Sequence, residues 1–361
     1  MKKINLILAC ILYLVSSQIH AQTVYYEADQ FQLIGKTSEE TETRYERLPA
    51  YLKEKCRPPL WNLGKNTSGL AIRFRTNSRA ISAKWEVAGN NHMNHMTDTG
   101  IKGVDLYAWE KDHWQPVKAG LPTGKTNEQA IISNMTPQER EYLMFLPLYD
   151  GVISLSIGID STAYIKNPAL PYPDTTRPIL VYGTSITQGG CASRPGMSYT
   201  NILTRKLNRE VINLGFSGNG QLDYEIAELM ATRQDASMFI LDFIPNVNAA
   251  QLTKKTETFF NILRKANPNT SILFVETIIF PHSFYDKKTY ETITEKNRLL
   301  KKEYEKIKQG GDKNIYYLAC DDLIGNDGEA TVDGIHLTDT GLARMAEIIL
   351  KAINRIENKK Y

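Results

Sequence analysis

A serine directly after a buried strand is the first candidate for chemistry in this chain. The strand-forming residues 179–182 lead into Gly183, which permits a turn closed to residues with a Cβ, and then into Thr184 and Ser185. Open α/β sheets place their chemistry at the carboxyl ends of strands, close to the positive N-terminus of the following helix. A polar strand-to-helix turn would look the same, so this stretch alone leaves a nucleophilic and a structural role open.

Asp333 and His336 supply the base that a serine nucleophile needs. They lie in a glycine-containing turn just before the last predicted helix. Asp333 could hold the Nδ1 proton of His336, which would leave Nε2 free to take the proton of Ser185. An isolated pair of this kind is more often part of a surface loop. This pair, however, lies where the loop after the fifth predicted strand returns to the same sheet edge.

Two further loops offer hydrogen-bond donors for an oxyanion. Gly218 follows the second predicted strand and could present a backbone N–H, and Asn246 follows the third and offers a side-chain amide. Each loop alone would also fit an ordinary turn. A phosphate site has weak support, because the glycines of residues 215–220 are in the order G-x-x-G-x-G and residues 183–190 lack the lysine of a P-loop.

The segment from residue 178 onward predicts the frame for these residues. Strand-like and helical patterns alternate, which is typical of a mostly parallel, doubly wound sheet with right-handed connections. The predicted strands cover residues 179–182, 210–214, 238–243, 271–275 and 314–319. The apolar faces of three predicted helices comprise Leu252, Thr256, Phe259, Phe260 and Leu263, then Ile293, Leu300, Tyr304 and Ile307, then Leu342, Met345, Ala346, Ile349 and Ile353.

The segment before residue 167 has the pattern of β structure. Apolar and polar residues alternate within residues 70–75, 81–87, 104–108 and 153–159, with turn sequences between them, which predicts an antiparallel sandwich. The next stretch, residues 167–178, is rich in proline and has no periodicity, which favours a linker. We therefore expect a β-sandwich domain over residues 22–172 and an α/β domain over residues 173–361.

Composition and charge indicate a globular protein. The chain has 361 residues, of which 42% are hydrophobic and 23% charged, with 43 basic and 40 acidic residues. The near balance of charge, and the lack of a basic tract interleaved with aromatic residues, give a nucleic-acid partner little support. No apolar run is long enough to span a bilayer.

The first 21 residues predict a secretory signal peptide. Lys2 and Lys3 precede an apolar run over residues 4–15, and Ala21 suits cleavage. Cys10 hints at a lipoprotein signal, but few residues precede it and the apolar run continues past it. Simple export, to the periplasm or outside the cell, is therefore favoured over a lipid anchor.

Export leaves three cysteines, Cys56, Cys191 and Cys320. They can form at most one intramolecular disulfide, and their spacing matches no zinc site. A nucleophilic role for Cys191, which follows Ser185 closely, is disfavoured against a buried or paired thiol.

Other residues suit structural roles better than chemical ones. His92, His95 and Asp98 have the residue types of metal ligands, but their spacing favours a turn with partly exposed histidines, in a loop that could lie near the pocket. Tryptophans could stack on sugars, although core packing is the default for aromatics at alternating strand positions, with Trp114 the one most open to exposure. The four are Trp61, Trp85, Trp109 and Trp114.

The order of these motifs resembles that of SGNH hydrolases, the GDSL-type esterase superfamily. The four blocks of the family correspond to residues 183–186, to Gly218, to Asn246, and to Asp333 with His336. Upstream, Gly103-Val-Asp-Leu-Tyr107 resembles the GxDLY signature of an N-terminal domain fused to such hydrolases in bacteria. The resemblance covers nearly the whole chain after the signal peptide.

The resemblance implies a flavodoxin-like hydrolase fold with a catalytic triad. Ser185 would be the nucleophile, His336 the base and Asp333 the third member, which some relatives dispense with. The oxyanion hole would comprise the Ser185 amide, Gly218 and Asn246.

Two positions depart from the family pattern. Thr184 stands where an aspartate is usual beside the serine, which leaves the nucleophile untouched. Pro245 stands where a glycine usually precedes the asparagine of the third block, which makes Asn248 the reserve candidate to Asn246.

Family resemblance favours an exported serine esterase that uses no cofactor and no metal. Its expected partners are O-acylated, especially O-acetylated, carbohydrates or other small esters. The alternatives are a lipase or thioesterase acting on acyl chains, and a non-catalytic glycan-binding protein, against which the complete set Ser185, Asp333 and His336 argues. The short proline-rich linker predicts that the sandwich packs against the hydrolase and forms one wall of its pocket, rather than being a freely tethered module.

Overall fold

The structure is a computed structural model that describes residues 22–358. The predicted signal peptide, residues 1–21, and Cys10 within it lie outside the described residues. Among residues 22–358, no helix combines the length and the apolar character needed to cross a membrane.

Two antiparallel sheets build the N-terminal region, which confirms the predicted sandwich. One sheet has the strand order β1-β9-β4-β7, and the other has the order β10-β3-β8-β5-β6, with β2 paired to β3. The strands are β1 (Thr23–Glu27), β2 (Gln32–Ile34), β3 (Ala71–Thr76), β4 (Ile81–Val87), β5 (Val104–Glu110), β6 (His113–Gly120), β7 (Thr126–Ile132), β8 (Arg140–Phe145), β9 (Val152–Asp160) and β10 (Ile165–Lys166). Their alternating apolar residues meet between the sheets, where Ile72, Trp85 and Ile157 are fully or almost fully buried.

A parallel sheet of five strands follows, in the predicted doubly wound arrangement. Its strand order is β12-β11-β13-β14-β15, so the first strand lies between the second and the third. The strands are β11 (Asp174–Gly183), β12 (Arg209–Gly215), β13 (Met238–Asp242), β14 (Ser271–Val275) and β15 (Ile315–Leu318). Their interiors are continuously apolar because the sheet is covered on both faces.

Helices connect these strands and bury the predicted faces. The helices of residues 22–358 are α1 (Pro58–Gly64), α2 (Asp98–Lys102), α3 (Ser185–Gln188), α4 (Tyr199–Leu207), α5 (Tyr224–Ala231), α6 (Ala249–Ala266), α7 (Lys287–Gln309) and α8 (Asp339–Asn358). The buried residues of α6 are the five that the sequence pattern selects, and the five marker residues of α8 are buried as well. In α7, Tyr304 packs against the core while remaining partly exposed.

The connection between the two regions is shorter than the predicted linker. Strand β10 ends at Lys166 and β11 begins at Asp174, so the predicted boundary after residue 172 falls between them. Pro178 lies within β11, and the register with β12 is interrupted between Asp174 and Ile179, where proline offers no N–H to the ladder.

Residues 48–61, between β2 and β3, pack against the parallel sheet, whereas Tyr45 of the same segment packs into the sandwich core. Leu52, Leu60 and Trp61 belong to the same buried cluster as Leu180 and Phe216. The two regions therefore share a hydrophobic core, which is the behaviour of packed regions and not of a flexibly tethered module.

Candidate active site

Ser185, His336 and Asp333 form a continuous chain of hydrogen bonds at the carboxyl end of β11. Ser185 is the first residue of α3 and is 7% exposed. Its Oγ lies 2.9 Å from Nε2 of His336, and Nδ1 of the same imidazole lies 2.7 Å from Oδ2 of Asp333. The structure thus brings together the three side chains that the sequence singles out, although Ser185 lies about 150 residues before the other two.

The Asp333 carboxylate is fixed in place by its own turn. Its Oδ1 accepts hydrogen bonds from the backbone N–H groups of Ile335 and His336, at 3.0 and 2.8 Å. Burial acts to raise the pKa of Asp333, but the hydrogen bonds from the His336 side chain and from the two amides outweigh it and lower the pKa to about 2. The carboxylate is therefore ionised at neutral pH and can orient the imidazole.

Gly183 makes room for helix α3, which begins with Ser185. A Cβ at this position would lie 2.0 Å from Oγ1 of Thr187 and 2.7 Å from the carbonyl oxygen of Asp242. A glycine is required here because there is no space for a Cβ; its backbone is not in the left-handed region.

The candidate oxyanion donors lie on loops that flank β11 on both sides. Gly218 belongs to the turn after β12, with φ +67°, and Asn246 belongs to a short 3₁₀ turn after β13. Oδ1 of Asn246 accepts the N–H of Gly220 at 3.1 Å, which joins the two loops and leaves the amide NH₂ of Asn246 to donate elsewhere. The amide of Ser185 is the first N–H of α3, which has no partner within its helix.

Asn248, the reserve candidate for this role, has a different one. Its Oδ1 accepts the N–H of Gln251, and the Gln251 side chain accepts the N–H of Asn248, both at 2.9 Å. This reciprocal pair is a capping box at the start of α6. The side-chain oxygen of Asn248 is committed to the helix, and Asn246 rather than Asn248 is joined to the Gly218 loop.

The N-terminal region contacts Ser185 and its helix through residues that sequence reasoning missed. Tyr149, just after β8, is buried and donates its hydroxyl to the carbonyl oxygen of Ser185 at 3.0 Å. Gln188 of α3 donates to the carbonyl oxygen of Leu148 and accepts the N–H of Ser217, so it ties α3 to both regions. No local motif marks these residues, because their contacts are long-range.

Asp105 and Tyr107 of the GxDLY segment bind the loop that follows α3. Oδ2 of Asp105 accepts hydrogen bonds from Nη1 of Arg194 at 2.5 Å and from the N–H of Gly196 at 2.8 Å. The same guanidinium contacts the Tyr107 hydroxyl. Burial raises the pKa of Asp105, and Arg194 opposes that rise. Asp and Tyr of the signature therefore join the sandwich to the parallel-sheet region.

His92 and His95, in the turn between β4 and α2, have different partners. Nδ1 of His92 lies 2.7 Å from Oδ1 of Asp98, whereas the His95 ring lies 5.5 Å from the His336 ring, between centroids. The three residues considered together in the sequence do not form one cluster. His95 instead approaches the Ser185 site, as does Cys191.

The thiols are free and protonated. Within residues 22–358, Cys56, Cys191 and Cys320 form no disulfide. Burial, with a smaller contribution from the Asp333 carboxylate, raises the pKa of Cys191 to about 12. A thiol in that state is a poor nucleophile, which agrees with the structural role expected for it.

The tryptophans serve packing, including the one expected to be most open. Trp114 is 4% exposed and donates Nε1 to Oδ1 of Asn208 at 3.0 Å, because β6 faces the end of α4. Trp109 stacks on Tyr172, Trp85 lies in the sandwich core, and Trp61 packs on the parallel-sheet side.

A buried carboxyl group lies beneath the nucleophile helix. Oδ2 of Asp242 accepts hydrogen bonds from Oγ1 of Thr187 at 2.9 Å and from the Tyr199 hydroxyl at 3.0 Å. Burial raises the pKa of Asp242 to about 7, against the smaller opposing effect of these two hydrogen bonds.

Comparison with known proteins places this geometry in a family. The profile of the GDSL-like Lipase/Acylhydrolase family matches residues 176–354, and a GxDLY profile for the N-terminus of SGNH-hydrolase-type esterases matches residues 23–165. A crystal structure described as a GDSL-like lipase from Bacteroides ovatus is 38% identical, with a TM-score of 0.89 over 93% of this chain and 98% of that one. This chain belongs to the GDSL-like lipase/acylhydrolase family. It is therefore an ester hydrolase of the SGNH type.

More distant structures share the fold alone. A salicylyl-acyltransferase from a tetracycline biosynthetic pathway is 16% identical, with a TM-score of 0.74 over 94% of this chain and 98% of that one. An acetyl xylan esterase from the rumen bacterium Butyrivibrio proteoclasticus is 12% identical, with a TM-score of 0.56 over 92% of this chain and 98% of the esterase chain. None of the curated proteins matches the chain in sequence.

Proposed function

We propose that this acylhydrolase is an exported serine esterase that removes O-acyl groups, chiefly O-acetyl groups, from carbohydrate. The observation that carries the catalytic part is the hydrogen-bonded chain from Ser185 through His336 to Asp333, with distances of 2.9 and 2.7 Å. Export rests on the signal-peptide pattern of the first 21 residues.

The geometry fits acyl transfer in two steps. His336 takes the hydroxyl proton while Oγ of Ser185 attacks the ester carbonyl, and the charged Asp333 stabilises the imidazolium. The Ser185 and Gly218 amides and the Asn246 side chain would hold the oxyanion. His336 then protonates the leaving alcohol, and in the second step it activates the water that releases the acid and restores Ser185.

Two exposed aromatic side chains support a carbohydrate as the alcohol part of the ester. Phe284 and Tyr285 are 82% and 86% exposed, at the end of the short helical turn whose His282 contacts Gly334, between Asp333 and His336. Exposed aromatic faces suit stacking on sugar rings. The acetyl xylan esterase above shares the fold, which adds to this reading.

The decisive experiment measures acetate release from a panel of acetylated glycans, beside hydrolysis of p-nitrophenyl esters of rising chain length, with Ser185→Ala as the control. We expect acetate release and a preference for the shortest acyl chain. A preference for long chains would favour a lipase or thioesterase. In that case Phe284 and Tyr285 would bind the acyl chain. Glycan binding without any turnover would indicate a non-catalytic binding protein. Export is tested by sequencing the N-terminus of the protein recovered from the periplasm or medium, which should begin at Gln22.

A further inference from the structure

Three potential metal ligands lie together beside Ser185. The proposed mechanism uses only one of them, His336. One ring nitrogen of His95, Sγ of Cys191 and one ring nitrogen of His336 all lie within 4.8 Å of one another. His95 comes from the sandwich, and the other two come from the parallel-sheet region. The cluster therefore exists only because the two regions are packed together.

The fold anchors both sides of this cluster. Cys191 has φ +42°, a left-handed backbone that is uncommon for a residue with a side chain, and it follows Gly189 with φ +109° at the end of α3. On the other side, Oγ1 of Thr97 donates to the carbonyl oxygen of Ser193 at 2.6 Å. This hydrogen bond holds the His95 turn against the Cys191 loop.

The hydrogen bonds of the two imidazoles leave suitable nitrogens for a metal. Nδ1 of His95 lies 2.9 Å from Oδ1 of Asn94, so this nitrogen is the donor and Nε2 keeps its lone pair. In His336, Asp333 holds Nδ1, and Nε2 faces Ser185. A metal-binding imidazole usually donates its other N–H to a carboxylate, which fixes the orientation of the ring, and Asp333 is placed to accept this hydrogen bond.

Two imidazoles and a thiolate are a ligand set that Zn²⁺ prefers. Bonds of about 2.0 Å to nitrogen and about 2.3 Å to sulfur place the ligand atoms of a tetrahedral ion roughly 3.5 Å apart. The observed separations are within reach of this value by side-chain rotation, since His95 is half-buried and lies in a turn.

We propose that His95, Cys191 and His336 form an inhibitory zinc site. Zn²⁺ binds Nε2 of both imidazoles and Sγ of Cys191, whose proton is released to solvent, and a water molecule takes the fourth position. His336 can then no longer accept the proton of Ser185, so the bound ion stops turnover. The inhibition rests on the proposed function, whereas the binding of the ion does not.

Binding is tested first, without reference to activity, with Co²⁺ as a spectroscopic probe for Zn²⁺. We expect the wild-type chain to bind a single Co²⁺ with the near-ultraviolet absorption of a thiolate-to-cobalt charge transfer, and Zn²⁺ to displace it. Cys191→Ser should abolish that absorption, and Ser185→Ala should keep it because the serine is not a ligand. Circular dichroism checks that each variant is folded.

Inhibition is tested second, with p-nitrophenyl acetate, each variant being compared with its own metal-free rate. Loss of a single ligand should raise the Zn²⁺ inhibition constant at least about 10- to 100-fold, because loss of a residue that only hydrogen-bonds to a ligand already weakens metal binding by this factor. We therefore expect this rise in Cys191→Ser and in His95→Gln, and reversal of wild-type inhibition by a chelator. His92→Gln is the matched control, because His92 lies in the same turn but pairs with Asp98.

Three outcomes would overturn the proposal. The first is wild-type protein that binds no Co²⁺, and the second is a charge-transfer band that survives in Cys191→Ser. The third is an inhibition constant that changes as much in His92→Gln as in His95→Gln. A protein that binds Co²⁺ through Cys191 but hydrolyses no ester would retain the metal site and refute the proposed function alone.

Discussion

Replacing Arg47 tests whether the N-terminal segment is an integral part of the esterase. The Arg47 side chain is 1% exposed and lies between the two regions. Its guanidinium donates to the carbonyl oxygens of Leu63 and Asn66 in its own segment, at 2.7 and 2.8 Å. It also donates to those of Asn213 and Gly215, at 3.1 and 2.9 Å, where β12 leads into the Gly218 turn. Arg47→Met keeps much of the volume and removes all four hydrogen bonds.

The expected loss of stability follows from two opposing contributions. Three carbonyl oxygens, those of Asn66, Asn213 and Gly215, lose their donor, at about 2 kcal/mol for each buried unsatisfied acceptor, whereas that of Leu63 still accepts the N–H of Asn66. Against this, removing the buried charge relieves a cost of about 5 kcal/mol, because burial lowers the pKa of Arg47 to about 9. The net loss in the free energy of unfolding is therefore about 1 kcal/mol. Arg47→Lys should be no better, since a lysine keeps the buried charge without the planar fork that reaches all four acceptors.

Urea denaturation and the hydrolysis of p-nitrophenyl acetate measure the two consequences. Besides the loss of stability, we expect kcat to fall about 10- to 100-fold, because displacement of the β12 end moves the oxyanion loop. The control is Arg298→Met, whose exposed guanidinium pairs with Glu295 on α7 and should change stability by no more than about 0.5 kcal/mol. An Arg47→Met variant that is as stable and as active as this control would refute the reasoning.

The remaining predictions concern the nucleophile, the oxyanion donor and the buried carboxyl group. Ser185→Ala should lower kcat about 10⁴- to 10⁶-fold without loss of stability, and a serine-directed phosphonate should label the wild-type chain on Ser185 only. Asn246→Ala should lower kcat about 10²- to 10³-fold. Asn248→Ala should leave kcat unchanged and cost about 1 kcal/mol of stability, measured by urea denaturation, as the loss of a helix cap does; the reverse order of the two asparagines would reassign the donor. The pKa of Asp242 is about 7 in the folded chain and about 3.9 in the unfolded chain, so the folded state holds the proton more tightly. The free energy of unfolding should therefore fall by up to about 4 kcal/mol as the pH rises from about 4 to 7. Asp242→Asn should remove that part of the pH dependence in denaturation curves at pH 5 and pH 8, and an unchanged difference between the two pH values would contradict the assignment.

The elements predicted from sequence are those whose signal is local. Period-two alternation located four strands of the sandwich, and helical spacing selected the buried faces of α6 and α8, because burial of one face imposes the pattern on the sequence. Strands β1, β2, β6, β7, β8 and β10 escaped prediction. In β8, nearly every residue is buried, so alternation is lost, whereas β6 is mostly exposed.

The site was predictable to the extent that single loops carry it. Ser185, Asp333 and His336 lie in short motifs whose residue types already specify the chemistry. Tyr149 and Arg47 have no such motif, since each acts on a carbonyl group from a distant part of the chain. Their roles follow only from the packing of the two regions, which neither periodicity nor spacing encodes.

That packing explains why a sandwich accompanies the hydrolase. Asp105 and Tyr107 of the GxDLY segment hold the loop after α3 through Arg194, while Tyr149 binds the carbonyl group of Ser185 itself. The nucleophile helix α3 has only one turn, too short to be stable by its own hydrogen bonds. We therefore infer that contacts from the sandwich hold Ser185 in place and that both regions contribute to the candidate active site.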